Sequence, residues 1–384
     1  MTTFPRTGLL SSRRPLDMYD VEAMVKTPEV MAELAESLRT LHSNLLSSVK
    51  IKLTSKCNLR CQMCKYWKTK TEVALSTEQW LHVIDQLADM GCRKIHFSGG
   101  EVFLRQDFLD LVERGCERGL KINMTTNGTL LNKTRLKRLI KAKPNSISLS
   151  LDGPRASVHD SIRGLPGSFK KTTKAIERIR KYGERYGRVP KIRINSVLMR
   201  TNYRRAAEMI RLADNLGAID VVPMPVDEKG EAVLRLTRSQ IERYNAEIAP
   251  QVLEERRRAG FSTDPLLVYP FGRSKEEIKA ARDGRYSADF YQKKPCLSPW
   301  THLFFAWDGE TYLCCMTNGR MESLGNVGKE AVADIFNGPK MREVREQFVA
   351  LKHPKTCARC DMVTGENRMF HQALERYSAT CSAP

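Results

Sequence analysis

Six β-rich runs alternate with runs of helical period between Val49 and Pro223, and this alternation limits the fold more than any other feature of the chain. The β runs are Val49–Thr54, Lys94–Phe97, Ile122–Thr125, Ser146–Ser150, Ile192–Val197 and Asp220–Pro223. The helical runs between them cover about 77–90, 107–118, 132–142, 168–182 and 203–216. The first opens on Ser76 followed by Gln79, a capping box. Strands joined through helices run parallel with right-handed crossovers. Six units suit an incomplete barrel rather than a closed eight-fold one. The expected fold class is α/β: a partial (β/α)6 TIM-like barrel with a small α+β domain after it. Chemistry in such barrels sits on the loops that follow the strand C-termini.

Directly after the first strand lies Cys57-Asn58-Leu59-Arg60-Cys61-Gln62-Met63-Cys64, three cysteines spaced C-x3-C-x2-C. Four thiolates saturate a [4Fe–4S] cluster, so three close together leave one iron open to a small molecule. The competing reading is zinc, whose loops usually supply four ligands as two separated pairs. The chain has 11 cysteines. No apolar run of signal-peptide length follows Met1, and no window approaches a membrane span. A soluble, cytoplasmic protein with no membrane partner is therefore expected. In that reducing compartment the cysteines point to metal or catalysis rather than disulfides. The net charge of +20 fits either an anionic partner or a solvated basic surface. Its Lys and Arg residues are spread along helical runs with few aromatics between them, so a nucleic-acid partner is not expected.

The cysteine spacing resembles the radical S-adenosylmethionine (SAM) superfamily, and residues 48 to about 226 carry further matches. Ser98-Gly99-Gly100-Glu101 follows the second strand and is similar to the family's Gly-Gly-Glu motif. The resemblance implies that Gly99, Gly100 and Glu101 hold the SAM amino group. Glycines permit close backbone approach, and a carboxylate suits an ammonium. Thr126-Asn127-Gly128 and Ser150-Leu151-Asp152-Gly153 resemble stretches lining the SAM pocket, with Asn127 on the first and Ser150 and Asp152 near the ribose. His159-Asp160-x-x-Arg163 also matches. Arg163 suits a bidentate pair with the SAM carboxylate. Asn195, at the end of the fifth strand, is a further candidate. One departure is Met63, which stands where the family usually has an aromatic residue. In this family an electron from the cluster splits SAM, and the resulting 5′-deoxyadenosyl radical takes a hydrogen atom from the substrate. A reductant such as flavodoxin or ferredoxin is implied.

The C-terminal region carries a second cysteine set: Cys296, Cys314, and the pair Cys357 and Cys360. These four would fully ligate an auxiliary [4Fe–4S] cluster. The arrangement resembles the SPASM/twitch extensions of radical SAM enzymes. Glu366 stands where a full SPASM domain has another cysteine, which favours the shorter twitch form. Thr301–Trp307 and Thr311–Cys315 read as a hairpin around Asp308-Gly309, a type I′ turn pair, and a helix is expected over Asn337–Ala350. Cys92 and Cys116 read as core residues of helical segments. The expected organisation is a helical lead-in over 1–46, polar at first and then helical over Val21–Leu46, the barrel over 47–235, a helical bridge over 236–295, the auxiliary-cluster domain over 296–365 and a tail over 366–384.

The twitch resemblance implies several reaction types. A small polyhydroxylated substrate, sugar or aminocyclitol-like, undergoing dehydrogenation or epimerisation is the first expectation. Cys315 is then the candidate hydrogen donor, since strand alternation points it away from Cys314. The alternative is a maturase acting on a ribosomally made peptide or protein. Such enzymes usually carry a longer N-terminal leader-binding module than residues 1–46.

Overall fold

Alternation along each strand decides what faces the helices and what faces the lumen. In the computed structural model, which describes residues 21–69, 73–228, 232–361 and 363–381, all six expected strands form. They are β1 Ser48–Lys52, β2 Lys94–Ser98, β3 Lys121–Thr126, β4 Ser146–Ser150, β5 Lys191–Leu198 and β6 Asp220–Pro225. All pair in parallel with their neighbours in sequence. Ile51, Phe97, Met124, Leu149 and Ile194 are fully buried and join Val83, Leu111, Leu139 and Ile176 of the surrounding helices in one core. Their strand neighbours take the opposite face. That inner face is polar and basic: Lys50 and Lys52 on β1, His96 on β2, Ser148 and Ser150 on β4, Arg193 and Asn195 on β5. His96 is held well below its ordinary pKa by burial and by the charges of Lys50 and Lys94. It stays neutral and bonds Thr125 Oγ1 at 2.8 Å.

The C-terminal hairpin is not separate from the barrel. Its first strand, β7 (His302–Phe305), pairs in parallel with β1, from Ser48 opposite His302 to Ile51 opposite Phe305. Its second, β8 (Thr311–Tyr312), is short and antiparallel to β7. The sheet order is therefore β6-β5-β4-β3-β2-β1-β7-β8. The Asp308-Gly309 turn also differs from expectation. A type I′ turn needs positive φ at both central residues, and of this pair only Gly309 has it, at 85°. Ala306 O accepts from Gly309 N at 3.0 Å and Ala306 N donates to Glu310 O at 2.9 Å, a hairpin closed by a glycine bulge.

Three further elements depart from the sequence reading. The expected N-terminal helix over Val21–Leu46 is two helices, Val21–Met24 and Pro28–Thr40. Pro28 lacks an N–H and starts a new helix in its first turn. The polar lead-in up to Asp20 lies outside the described residues. Residues expected as a tail continue the helix Val363–Cys381, whose Phe370 and Ala373 are buried. This helix packs against Pro28–Thr40. Cys92 is buried as expected, but in the turn between a helix and β2.

The bridge forms as helices, including Arg238–Arg243, Ala249–Ala259 and Lys275–Arg282. A buried ion pair fixes it to the barrel: Arg256 Nη2 lies 2.5 Å from Asp220 Oδ1, with both side chains almost wholly inaccessible. Burial disfavours both charges, raising the Asp220 pKa and lowering that of Arg256. Removing one partner therefore leaves an uncompensated buried charge. Arg256→Ala should lower the free energy of urea unfolding by about 3–5 kcal/mol. Adding Asp220→Ala to it should recover part of that loss. Equal, additive losses from the two changes would show that the pair is not what holds the bridge.

Candidate active site

The loop carrying Cys57, Cys61 and Cys64 leaves β1 at the C-terminal end of the sheet and is held from two sides. On one side Gly100 N donates to Thr54 O at 2.7 Å and Glu101 N to Lys56 O at 2.8 Å. A Cβ on Gly100 would lie 2.1 Å from Lys56 O, so no other residue fits there. On the other side stands the helix Ala156–Arg163, which the sequence reading treated only as a motif. Its last carbonyls accept from the cysteine loop: Ile162 O from Gln62 N at 2.9 Å and Arg163 O from Arg60 N at 3.3 Å. Gly164 ends the helix with φ 67°, and a Cβ there would meet Arg60 O at 2.6 Å. Trp67 Nε1 donates to Cys61 O at 3.3 Å. Met63 packs against a small apolar group of Ile162, Met199 and Val226, so methionine fills the place of the expected aromatic residue.

The structure sorts the SAM-pocket candidates into two groups. In the first, the side chains are engaged within the chain. The Glu101 carboxylate is fully buried, accepting from Thr126 Oγ1 at 2.7 Å, Phe103 N at 3.2 Å and Asn127 N at 2.8 Å. Burial raises its pKa, and these donors oppose the rise. Its carboxylate ties β2 to β3, with two donors on Oε1 and one on Oε2. Asn127 Nδ2 donates to Asn58 Oδ1 of the cysteine loop at 2.9 Å. Asp152 and Arg163 form a buried ion pair, Oδ2 to Nε at 2.6 Å. Asp152 Oδ1 also accepts from Val197 N at 2.8 Å. Arg163 Nη1 reaches Cys61 Sγ at 3.8 Å, placing a guanidinium beside a cysteine of the loop. His159 Nδ1 accepts from Asp152 N at 3.1 Å. Burial, with the charge of Arg163, lowers its pKa to about 3, so the ring stays neutral. In the second group are Ser150 and Asn195, directly opposite each other across β4 and β5. Both are half-buried, and neither side chain hydrogen-bonds another described residue. Ser150 is the last residue of β4, with Asn195 beside it on β5.

Lys52 was missed, although strand alternation places it inward. It is 6% exposed and ends β1, with its ammonium 2.8 Å from the Tyr66 ring centroid and 5.8 Å from that of Trp307. Burial, aided by Lys50, lowers its pKa to about 7. The charges of Cys64 and Cys315 both act on it in the opposite sense, which places Lys52 between the cysteine loop and the C-terminal region.

Cys296, Cys314, Cys357 and Cys360 line one cavity with Tyr291 and Leu313. Burial raises all four thiol pKa values, that of Cys314 to about 12. Each of Cys314, Cys357 and Cys360 couples electrostatically to Cys296. A cationic cluster supplies the compensation that buried thiolates need. Among the described residues no three His, Cys, Asp or Glu side chains close on a single metal position. Cys315 lies past the end of β8 in a turn, so the alternation argument for its direction does not apply. Its charge acts on Lys52 and Tyr66, and it also lines the four-cysteine cavity.

A partial parallel barrel with an open three-cysteine loop at its mouth, and a four-cysteine cavity against that mouth, defines a cluster-dependent enzyme. Known proteins make the assignment specific. The Radical SAM superfamily profile matches residues 51–213, and an iron-sulfur cluster-binding domain, SPASM, matches residues 296–361. The chain belongs to the radical SAM superfamily and carries a C-terminal SPASM domain; its cofactors are SAM and [4Fe–4S] clusters. The AdoMet-dependent heme synthase of Methanosarcina barkeri is 34% identical over 169 residues, 44% of this chain and 47% of that protein, so the match spans under half of it. The PqqA peptide cyclase of Granulibacter bethesdensis is 28% identical over 319 residues, 80% of this chain and 78% of that protein. The fold is shared with Streptococcus suis SuiB bound to S-adenosylmethionine, at TM-score 0.63 and 17% identity over 83% of this chain and 72% of that one. No helix among the described residues is long and apolar enough to cross a membrane.

The two cysteine sets should each assemble their own cluster. Reconstituted C57A/C61A/C64A protein should keep about four irons and four sulfides, the content of one cubane. C296A/C314A/C357A/C360A protein should keep a similar amount. Zinc in either variant, or loss of all iron from both, would contradict two independent sites.

Proposed function

We propose that this enzyme is a maturase that oxidises or crosslinks a ribosomally made peptide. The observation that carries the proposal is the extent of the likeness to the PqqA peptide cyclase. That likeness covers 80% of the chain, whereas the heme synthase likeness covers 44%. This reading replaces the sugar or aminocyclitol substrate expected from the sequence. The cofactors, when bound, supply a radical that removes hydrogen from an unactivated position.

The chain's own residues supply the setting. Cys57, Cys61 and Cys64 would hold the SAM-binding cluster on a loop braced by Gly100 and by the helix Ala156–Arg163. Gly99, Gly100, Ser150 and Asn195 would border the SAM pocket, while Glu101, Asn127, Asp152 and Arg163 hold that border in place. Lys52, buried against Tyr66, would place an amine beside the cysteine loop, where a peptide carboxylate would favour its charged form. Cys296, Cys314, Cys357 and Cys360 would hold the auxiliary cluster, which would supply an acceptor for the second electron of an oxidation. Cys315, against the mouth, would serve as hydrogen donor only if the outcome were epimerisation. The exposed Arg60, Lys65 and Lys68 on the cysteine loop and just after it suit an acidic one-electron carrier such as flavodoxin or ferredoxin.

The test uses reconstituted full-length enzyme with SAM, a reductant and short peptides encoded beside its gene. A matching peptide should lose one pair of hydrogens by mass spectrometry, with 5′-deoxyadenosine formed in step. C57A/C61A/C64A protein should give neither product. SAM cleavage coupled to turnover of a sugar or aminocyclitol, with every peptide unchanged, would refute the maturase reading.

A further inference from the structure

The phenol of Tyr291 belongs to neither cysteine motif, yet it touches the four-cysteine cavity from within. It lies in the short helical turn Phe290–Gln292 at the end of the bridge and is 5% exposed. Its Oη is 3.4 Å from Cys360 Sγ. Which atom donates follows from Asn367, on the helix Val363–Cys381. Asn367 Oδ1 accepts from Leu297 N at 2.7 Å, and Asn367 Nδ2 donates to Val363 O at 3.1 Å. A main-chain donor on one side and a main-chain acceptor on the other fix the orientation of this amide. Its N–H therefore faces the phenol and donates to Tyr291 Oη at 3.5 Å. With its oxygen occupied as an acceptor, Tyr291 has its hydrogen free for sulfur.

The ring has little freedom to turn away. The His353 ring packs on it with centroids 5.4 Å apart, and Phe348 backs His353 at 4.5 Å. His353 Nε2 accepts from Cys296 N at 3.2 Å, so the same small group braces two of the four cysteines.

We infer that Tyr291 donates a hydrogen bond to the Cys360 thiolate of the auxiliary cluster, held in that role by Asn367, and so raises the reduction potential of that cluster. The inference rests on the proposed ligation by Cys296, Cys314, Cys357 and Cys360. A donor on a ligating sulfur withdraws electron density and stabilises the reduced cluster. The effect favours passage of the second substrate electron to this cluster. Tyr291 and Asn367 are thus positioning residues, not ligands.

The test is a redox titration of the auxiliary cluster, followed by electron paramagnetic resonance (EPR), in reconstituted full-length C57A/C61A/C64A protein, where only that cluster remains. Adding Y291F should leave iron content unchanged and move the midpoint potential to a more negative value. N367L should move it the same way by less, because the phenol loses its orientation but keeps its hydrogen. Iron–sulfur stretching bands of the parent should shift in deuterium oxide, and that part of the shift due to Tyr291 should vanish in Y291F. A midpoint unchanged or more positive in Y291F, with iron retained, would overturn the inference. If Y291F fails to hold iron, the outcome for N367L decides, and an unmoved midpoint there overturns it too. Loss of iron from the parent would sink the ligand assignment and this inference with it, and the iron assay separates that failure from a failure of Tyr291 alone.

Discussion

The site depends on a close approach between two loops. The segment after β1 crosses the segment after β2 so tightly that Gly100 has room only for hydrogen, with Lys56 O 2.1 Å from where a Cβ would be. Two main-chain hydrogen bonds close that contact. Everything that follows on the cysteine loop inherits its position from there. The second brace, the C-terminus of the helix Ala156–Arg163, fixes the far side of the loop through carbonyls that the helix cannot satisfy itself. Cys61 is thereby set beside Arg163, whose own orientation comes from the buried Asp152.

This arrangement gives the motif residues a division of labour. Several residues read as ligand-binding from the sequence also brace the loops around them. Glu101, Asn127, Asp152 and Arg163 spend their polar atoms on one another and on the loops they join. Of the residues with open side chains, Ser150 lies on a stretch that matches the family, while Asn195 carries a weaker sequence signal. Lys52 adds a buried cation where the barrel, the cysteine loop and the C-terminal region meet. In a barrel whose inner face is already basic, such a group favours an anionic guest.

The barrel strands and helices were legible because each follows from local period and local capping. The Ser76 and Gln79 capping box forms as expected, for example. The seven cysteines were legible because their spacing is chemical rather than conformational. What the sequence did not disclose is mostly long-range. The pairing of β7 with β1 joins Ser48 to His302 across the chain, and nothing local to either run specifies it. Helix Val363–Cys381 was missed because the cluster domain was expected to end at residue 365 with a tail after it. A motif gives residue types and spacing, not the partners that the fold brings to Glu101 and Arg163. Cys315 was misplaced because β8 ends at Tyr312, before alternation can fix its direction.

The central claim is that only the cluster on the Cys57–Cys64 loop has an iron open to SAM, while the C-terminal set is closed by four cysteines. EPR of the dithionite-reduced full-length protein, recorded with and without SAM, tests it directly. Two overlapping signals are predicted, and SAM should shift only the one that is missing from C57A/C61A/C64A protein. A SAM-dependent shift in the signal that this variant retains, or no shift in either, would contradict the account.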